Sequence, residues 1–571
     1  MTRRQGLLSR GLSLRAGVAR LRVLPKPRRP GPRPPGAEHA SSRRAAPKAL
    51  AAAVAGVLVV LIVVLLLTTG SSEPPPAVGA ASVVPGDALA YVHLSTDPSR
   101  PAVKRALTLA TRFADYPLLR AVIVNRLGAL GVRSNAVDFG REIRPWLGKE
   151  AALALLSTNA SAAGSLVVLD VSDHPRALAY LTARGTRPGG SYAGVALMRY
   201  SGGGEAAFVG HYLAIGQDAS VRAAIDAAAG RSPALSGNAS YQSAAAGEPA
   251  DRVLDAYASA LGVRRVLAGR GGVVGALGVL LDQPALSGTT MSLSAAPGGA
   301  RMRIHSALDP NLVHLNGAGA RAFTPTLQSI LPAGSPLVLD VDGLPRIAPR
   351  LLQAGAAAGV AGTIGPLLAR LGAALSAKGF DVHSLVSIFS GETAVAIAPR
   401  SRTATLVLVA RTRAEDRVKA QLAGLEAPLA QLFAPPSAGP GQVPEFNDRV
   451  AGGITAHQVV LAPGLELDYA VFDGLVVVST SLDGIAGVAN HAHSLRDDPA
   501  FSSVVGDTSQ QVTSLLFLGL RRLLPIGERI GLLRGARYGA LRADLRRISA
   551  VGLRSSSGDA DATSELSLQI R

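Results

Sequence analysis

Few residues of this 571-residue chain stand at spacings that can do chemistry. Asp138 and Glu150 flank one glycine turn, and Asp381 and Glu392 flank another. A carboxylate pair can move protons. An acid beside such a turn can equally cap it by accepting backbone N–H groups, and that reading is preferred. Asp340-Val341-Asp342 looks like a metal-binding pair, but alternate residues of a strand share a face and both carboxylates can point to water. His491 and His493, with Asp497 and Asp498 beyond them, read as an exposed turn rather than a metal site. Gly317, Gly319 and Ala322 satisfy a loose dinucleotide fingerprint with Asp340 downstream. Pro325 arrives where the helix of that motif must run, so a linker is expected. Asn159 and Asn238 open glycosylation sequons, which occur often by chance. The arginines at 521–522 and at 542, 546 and 547 read as solvated helix faces. Phosphate loop, nucleophile elbow and zinc-helix motifs are absent from the sequence, so no catalytic, cofactor-binding or metal residue is expected, and no cofactor.

The elements that hold these residues occur twice. VPGDALAYVHLS (84–95) has a counterpart in LPAGSPLVLDVD (331–342), and DFGREIRPWLGKEAALAL (138–155) in DVHSLVSIFSGETAVAI (381–397). Strand-like SLVVLDV (165–171) answers TLVLVAR (405–411), and GHYLAIGQD (210–218) answers DGLVVVSTS (473–481). The matched turn and strand positions are Pro85 with Pro332, Asp138 with Asp381, Trp146 with Phe389, Gly148 with Gly391 and Glu150 with Glu392. Alternating apolar runs between Gly/Pro/Ser clusters suit a half-covered antiparallel sheet. The expected fold is therefore α+β: one N-terminal transmembrane helix, then two homologous extracytoplasmic domains, each an antiparallel sheet with helices on one face; edge-to-edge pairing of the two sheets into one larger sheet is left open. The boundaries are a first repeat at 83–315, a linker at 316–324 and a second repeat at 325–571.

Composition supplies the transmembrane expectation. Apolar residues are 48% of the chain and charged ones 17%, enough for a large core. Cysteine is absent, which excludes disulfides and thiol chemistry. Of the formal charge of +19, +12 lies in residues 1–48, a Pro/Arg-rich tail with 13 basic residues and one acid. Ala49–Leu67 is uncharged and long enough to cross a bilayer, within a span at 49–69, and a Pro/Ser/Ala spacer follows at 70–82. The positive-inside rule then puts the tail in the cytoplasm and the body outside the cell membrane. The expected partner is the lipid bilayer through Ala49–Leu67; the basic tail can meet anionic lipid headgroups, but a disordered leader that only fixes topology is the preferred reading. With few aromatics and a mildly basic body, no nucleic acid is expected.

Arg144-Pro145-Trp146-Leu147-Gly148, taken with PGDALAYVHL at 85–94, resembles a bacterial, actinobacterial-type family of single-pass membrane proteins known only as a domain of unknown function. The resemblance spans about 80–570; the second copy departs, having Ser387-Ile388-Phe389-Ser390-Gly391 at the PWLG position. It implies topology and fold but no catalytic residue. The functional expectation is a membrane-anchored binding or scaffold protein of the cell envelope. The alternatives are a carrier or sensor of an apolar, lipid-like ligand and, further off, an envelope hydrolase using carboxylates.

Overall fold

A computed structural model describes residues 75–571 apart from 111, 114–138, 157–163, 202, 271, 297, 314–320, 358–385, 400–403, 433–442, 463–464, 491–492, 530–532 and 534–535. The apolar runs become strands. In the first half these are β1 (Ala90–Ser95), β2 (Leu147–Leu155), β3 (Ser165–Val171), β4 (Thr186–Tyr192), β5 (Val195–Tyr200), β6 (Glu205–Val209), β7 (Tyr212–Gly216), β8 (Arg252–Ser259), β9 (Leu286–Ala296) and β10 (Gly299–Leu308). The second half has β11 (Leu337–Asp342), β12 (Glu392–Pro399), β13 (Ala404–Arg411), β14 (Asn447–Ala451), β15 (Ile454–Ala462), β16 (Leu465–Phe472), β17 (Leu475–Ser479), β18 (Ser514–Leu518), β19 (Ile548–Ser557) and β20 (Asp561–Ile570).

All pairings are antiparallel. Across the first half the order is β4-β5-β6-β7-β3-β2-β1-β8-β9-β10. The second half has the same order, β14-β15-β16-β17-β13-β12-β11-β18-β19-β20. The register repeats too: His93 faces Ala152 and Ser95 faces Glu150, as Asp340 faces Ala394 and Asp342 faces Glu392. The last strands of the two halves, β10 and β20, pair from Gly299/Gln569 to Ala307/Asp561 and join all twenty strands into one sheet.

Two-residue hairpins enforce these connections. Ala193-Gly194 and Asp473-Gly474 take positive φ at both positions, the primed-turn geometry whose twist matches the strands. Helix His174–Ala183 starts at Asp173, whose carboxylate accepts the Arg176 N–H at 3.1 Å, and ends at Gly185 with φ +79°.

This architecture amends the expected fold class in three respects. Among the described residues no helix is long and apolar enough to cross a membrane, so the expected single N-terminal transmembrane helix, and the single-pass localisation built on it, are not supported. The segment Ala49–Leu67 itself lies outside the described residues. The most apolar described helix, Gly272–Leu281, has ten residues, about 15 Å of rise against a hydrocarbon core of about 30 Å. Secondly, of the arrangements left open for the two sheets the edge-to-edge one is realised, because β10 and β20 satisfy each other's edges.

Thirdly, helices cover both faces of the sheet rather than one. Leu166 and Val168 of β3 pack with Val221, Ala224 and Ile225 of helix Asp218–Ala228. Val167 and Leu169 pack on the other side with Trp146 and with Ala177 and Leu181 of helix His174–Ala183. In the second half Val407 and Val409 meet Ile485 and Val488 of helix Leu482–Ala489, while Ala410 meets Val418, Leu422 and Leu425 of helix Glu415–Leu432. Continuous apolar runs such as SLVVL and TLVLVA need that double cover.

Candidate functional site

One side of β1 and β8 carries a buried charge cluster. His93 is fully buried, with Glu150 and Asp255 at 2% and 8% exposure. His93 and Asp255 are direct cross-strand neighbours, and Glu150 enters from β2. His93 Nδ1 donates to Asp255 Oδ1 at 3.1 Å, and Nε2 makes an ion-pair contact with Glu150 Oε2 at 3.1 Å. Glu150 also accepts the Tyr212 hydroxyl at 2.6 Å and the Ala80 N–H at 3.2 Å, and Arg252 Nε donates to Asp255 at 3.0 Å. Tyr91 stacks beside the imidazole, and Tyr241 meets both Tyr91 and Tyr257 edge-on.

The electrostatics are those of an imidazolium held between two carboxylates. Burial opposes charge on His93, but Asp255 and Glu150 override it and raise the imidazole to about 9. Burial likewise penalises the Glu150 carboxylate, yet His93, Tyr212 and the Ala80 N–H hold it below its ordinary range. Asp255 is lowered against its burial by His93 and Arg252.

The corresponding positions of the second half use different partners. Glu392 accepts the N–H groups of Thr326 and Leu327, the latter at 2.9 Å, and has Arg411 Nε at 3.4 Å. Asp340 replaces His93, is buried, and is driven well above the usual carboxylate range by burial and by Glu392. Glu150 and Glu392 thus tie down equivalent 3-10 turns, Gly79–Ser82 and Leu327–Ser329, ahead of β1 and β11.

Of the other positions singled out in the sequence, Pro85 and Pro332 make matching bridges to Ala234 and Ser494. Trp146 is 1% exposed, and its indole N–H donates to the Glu142 carbonyl at 2.6 Å; Phe389 is half-buried beside Ile388. Gly148 leaves room for Asp170, whose carboxylate accepts the Lys149 N–H, whereas Gly391 has only the Arg411 carbonyl near it. Asp138, Asp381, Asn159, His491, Gly317 and Gly319 lie outside the described residues. Asn238 caps helix Ala239–Ala244 through the Tyr241 N–H. Arg522 is paired with Asp498, and Arg542 and Arg546 with Glu528. Among the described residues no three His, Cys, Asp or Glu side chains, those around His93 included, are placed so that they could hold a metal ion.

The opposite side of β1, β2, β8, β9 and β10 is apolar. With helix Gly272–Leu281 and the preceding turn Val263–Ala268 it encloses a cavity of about 60 Å³. Val92, Leu153, Leu277, Leu281, Met291 and Ile304 are the large aliphatic and thioether side chains that line it from the strands and the helix. Val92, Leu153, Leu277 and Leu281 are half-buried, so the wall reaches the surface.

Sequence reading missed His93, Tyr212, Arg252 and Asp255 as a set. The available signal was a charged residue inside an apolar strand, as in AYVHLS and RVLDAYAS, since a buried charge must be paired. The cavity left no linear signal, because its wall comes from five strands and a helix.

Among curated proteins no sequence match is found. Solved structures with slight likeness are crystal form I of TP0453, at 12% identity over 44% of this chain and 89% of that one with a TM-score of 0.25, and crystal form III, at 9% over 45% and 91% with 0.23. These overlaps are too slight to define a shared fold. The family described as "Protein of unknown function (DUF3352)" matches residues 49–569, covering the strands and both faces described above. The chain belongs to that family.

Proposed function

We propose that this protein is a binding protein that receives an apolar segment of its ligand in the cavity beneath helix Gly272–Leu281. The observation that carries this reading is the cavity wall, in which ten of fourteen residues are aliphatic and the others are Met291, Tyr257, Thr289 and Thr290. An apolar void gains nothing from water, forfeits dispersion contacts while empty, and takes up apolar guests. The reading is one of binding rather than turnover. The titratable cluster at His93 lies on the other side of the sheet, under the 3-10 turn Gly79–Ser82 and helices Asp218–Ala228 and Ala239–Ala244. A base walled in this way has no reacting atom within reach.

Ala256 lines the cavity from β8 and offers the simplest test. Ala256→Phe should fill the void, abolish binding of a fluorescent alkyl probe and leave the circular dichroism spectrum unchanged. Native mass spectrometry of the purified protein should show a stoichiometric apolar ligand that the variant lacks. Probe binding of undiminished affinity to Ala256→Phe would end this reading.

A further inference from the structure

The wall and its surroundings point to the class of ligand. We infer that the ligand is a single-chain amphiphile with an anionic head, its alkyl end in the cavity and its head outside on Arg265 and Arg270. The inference rests on the binding role of the cavity proposed above.

The first observation concerns what the interior lacks. Three lining residues carry hydroxyls, and the ring of Tyr257 packs against Tyr241 in the cluster on the other side of the sheet. The two threonines are already committed: Thr289 Oγ1 donates to the His305 carbonyl at 3.2 Å, and Thr290 Oγ1 lies 2.6 Å from both the Ala244 carbonyl and Glu248. A polar head drawn inside would shed its hydration with nothing to replace it. The head therefore stays at the surface and only a chain enters. A void of about 60 Å³ takes the end of one alkyl chain rather than a fused ring system.

The second observation concerns what surrounds the helix. Val266 and Leu267 line the cavity from the turn Val263–Ala268, and Arg264 and Arg265 on the same turn are exposed. Arg270 Nε donates back to the Val266 carbonyl at 3.3 Å, which keeps its guanidinium beside that turn. Arg350 sits at the other end of the helix, with Nη2 donating to the carbonyls of Leu280 and Asp282 at 2.7 Å each. Asp282 is the one acid between residues 256 and 308, and Arg264 neutralises it at 2.9 Å. The margin is left with an excess of positive charge, and guanidinium forks match carboxylate and phosphate oxygens.

The test is titration calorimetry of the full chain with octanoate, octyl phosphate, octanol and octyltrimethylammonium. Both anions should bind, octanol about tenfold more weakly and the cation weaker still. The preference between octanoate and octyl phosphate identifies the head. The double variant Arg265→Glu/Arg270→Glu should weaken the anions about tenfold and leave octanol unchanged, and added salt should narrow the gap between anion and alcohol. Equal affinity for octanol and octanoate, or a variant that shifts both alike, would overturn the anionic head while leaving the cavity reading intact. Failure of all four compounds to bind would instead remove the cavity reading itself.

Discussion

Replacing Glu150 by Gln changes one charge at the centre of the buried cluster and keeps its shape. Tyr212 donates to Oε1, whereas the Ala80 N–H and His93 both meet Oε2, so the single amide oxygen keeps the Ala80 and His93 side while the amide N–H turns to the Tyr212 oxygen, and the main loss is the negative charge facing His93. Raising an imidazole from 6.5 to about 9 corresponds to roughly 3 kcal/mol. Asp255 at 3.1 Å supplies part of that, which bounds the share of Glu150 at about 1–3 kcal/mol. The pH dependence has a definite sign. Folded His93 holds its proton up to about pH 9, whereas the unfolded chain releases it near 6.5. Its contribution is therefore complete below 6.5 and is lost as pH rises through 9, by at most about 1.4 kcal/mol per pH unit. Urea unfolding followed through Trp146, the single tryptophan, measures both effects, because that indole is buried in the half that holds the cluster. The variant should lose about 1–3 kcal/mol at pH 7 and show a smaller decline between pH 7 and 9. A variant within about 0.5 kcal/mol of the parent, declining just as steeply, would refute the imidazolium-between-carboxylates account.

Three further outcomes follow from packing. Trp146→Ala should cost about 3–5 kcal/mol in a thermal or urea transition, and Phe389→Ala clearly less, because only Trp146 is fully buried. Gly148→Ala would push a methyl into the Asp170 carboxylate and should destabilise by about 1–3 kcal/mol; Gly391→Ala meets nothing nearer than the Arg411 carbonyl at 3.5 Å and should be tolerated, as parallel melts will show. Gly299→Val sets a side chain against the Leu568 backbone where β10 meets β20, so hydrogen exchange should speed up along that seam while β3 and β13 stay protected.

The run of Val, Leu and Ala in segments such as 165–171 and 405–411 determined that strands would form there, because β-branched and apolar residues between turn signals have little other choice. Asp473-Gly474 determined a tight hairpin for a different local reason, since both residue types accept positive φ, whereas Ala193 takes φ +50° only because the paired strands β4 and β5 hold it there. The likeness of 84–95 to 331–342 likewise stands in the sequence, and so do the absence of cysteine and the crowding of positive charge into residues 1–48. Tertiary structure decided what lies far apart along the chain. His93 and Asp255 are 162 residues apart, and their pairing depends on the β1–β8 register, which no local pattern encodes. Double cover of β3 depended on two helices that both follow it in the chain, His174–Ala183 and Asp218–Ala228, turning back to opposite faces. The join of β10 to β20 was settled by two free edges that satisfy each other's backbone groups, a requirement every edge strand shares. The cavity arose where ten residues of helix failed to fill the surface offered by five strands, a volume mismatch that only packing in three dimensions creates.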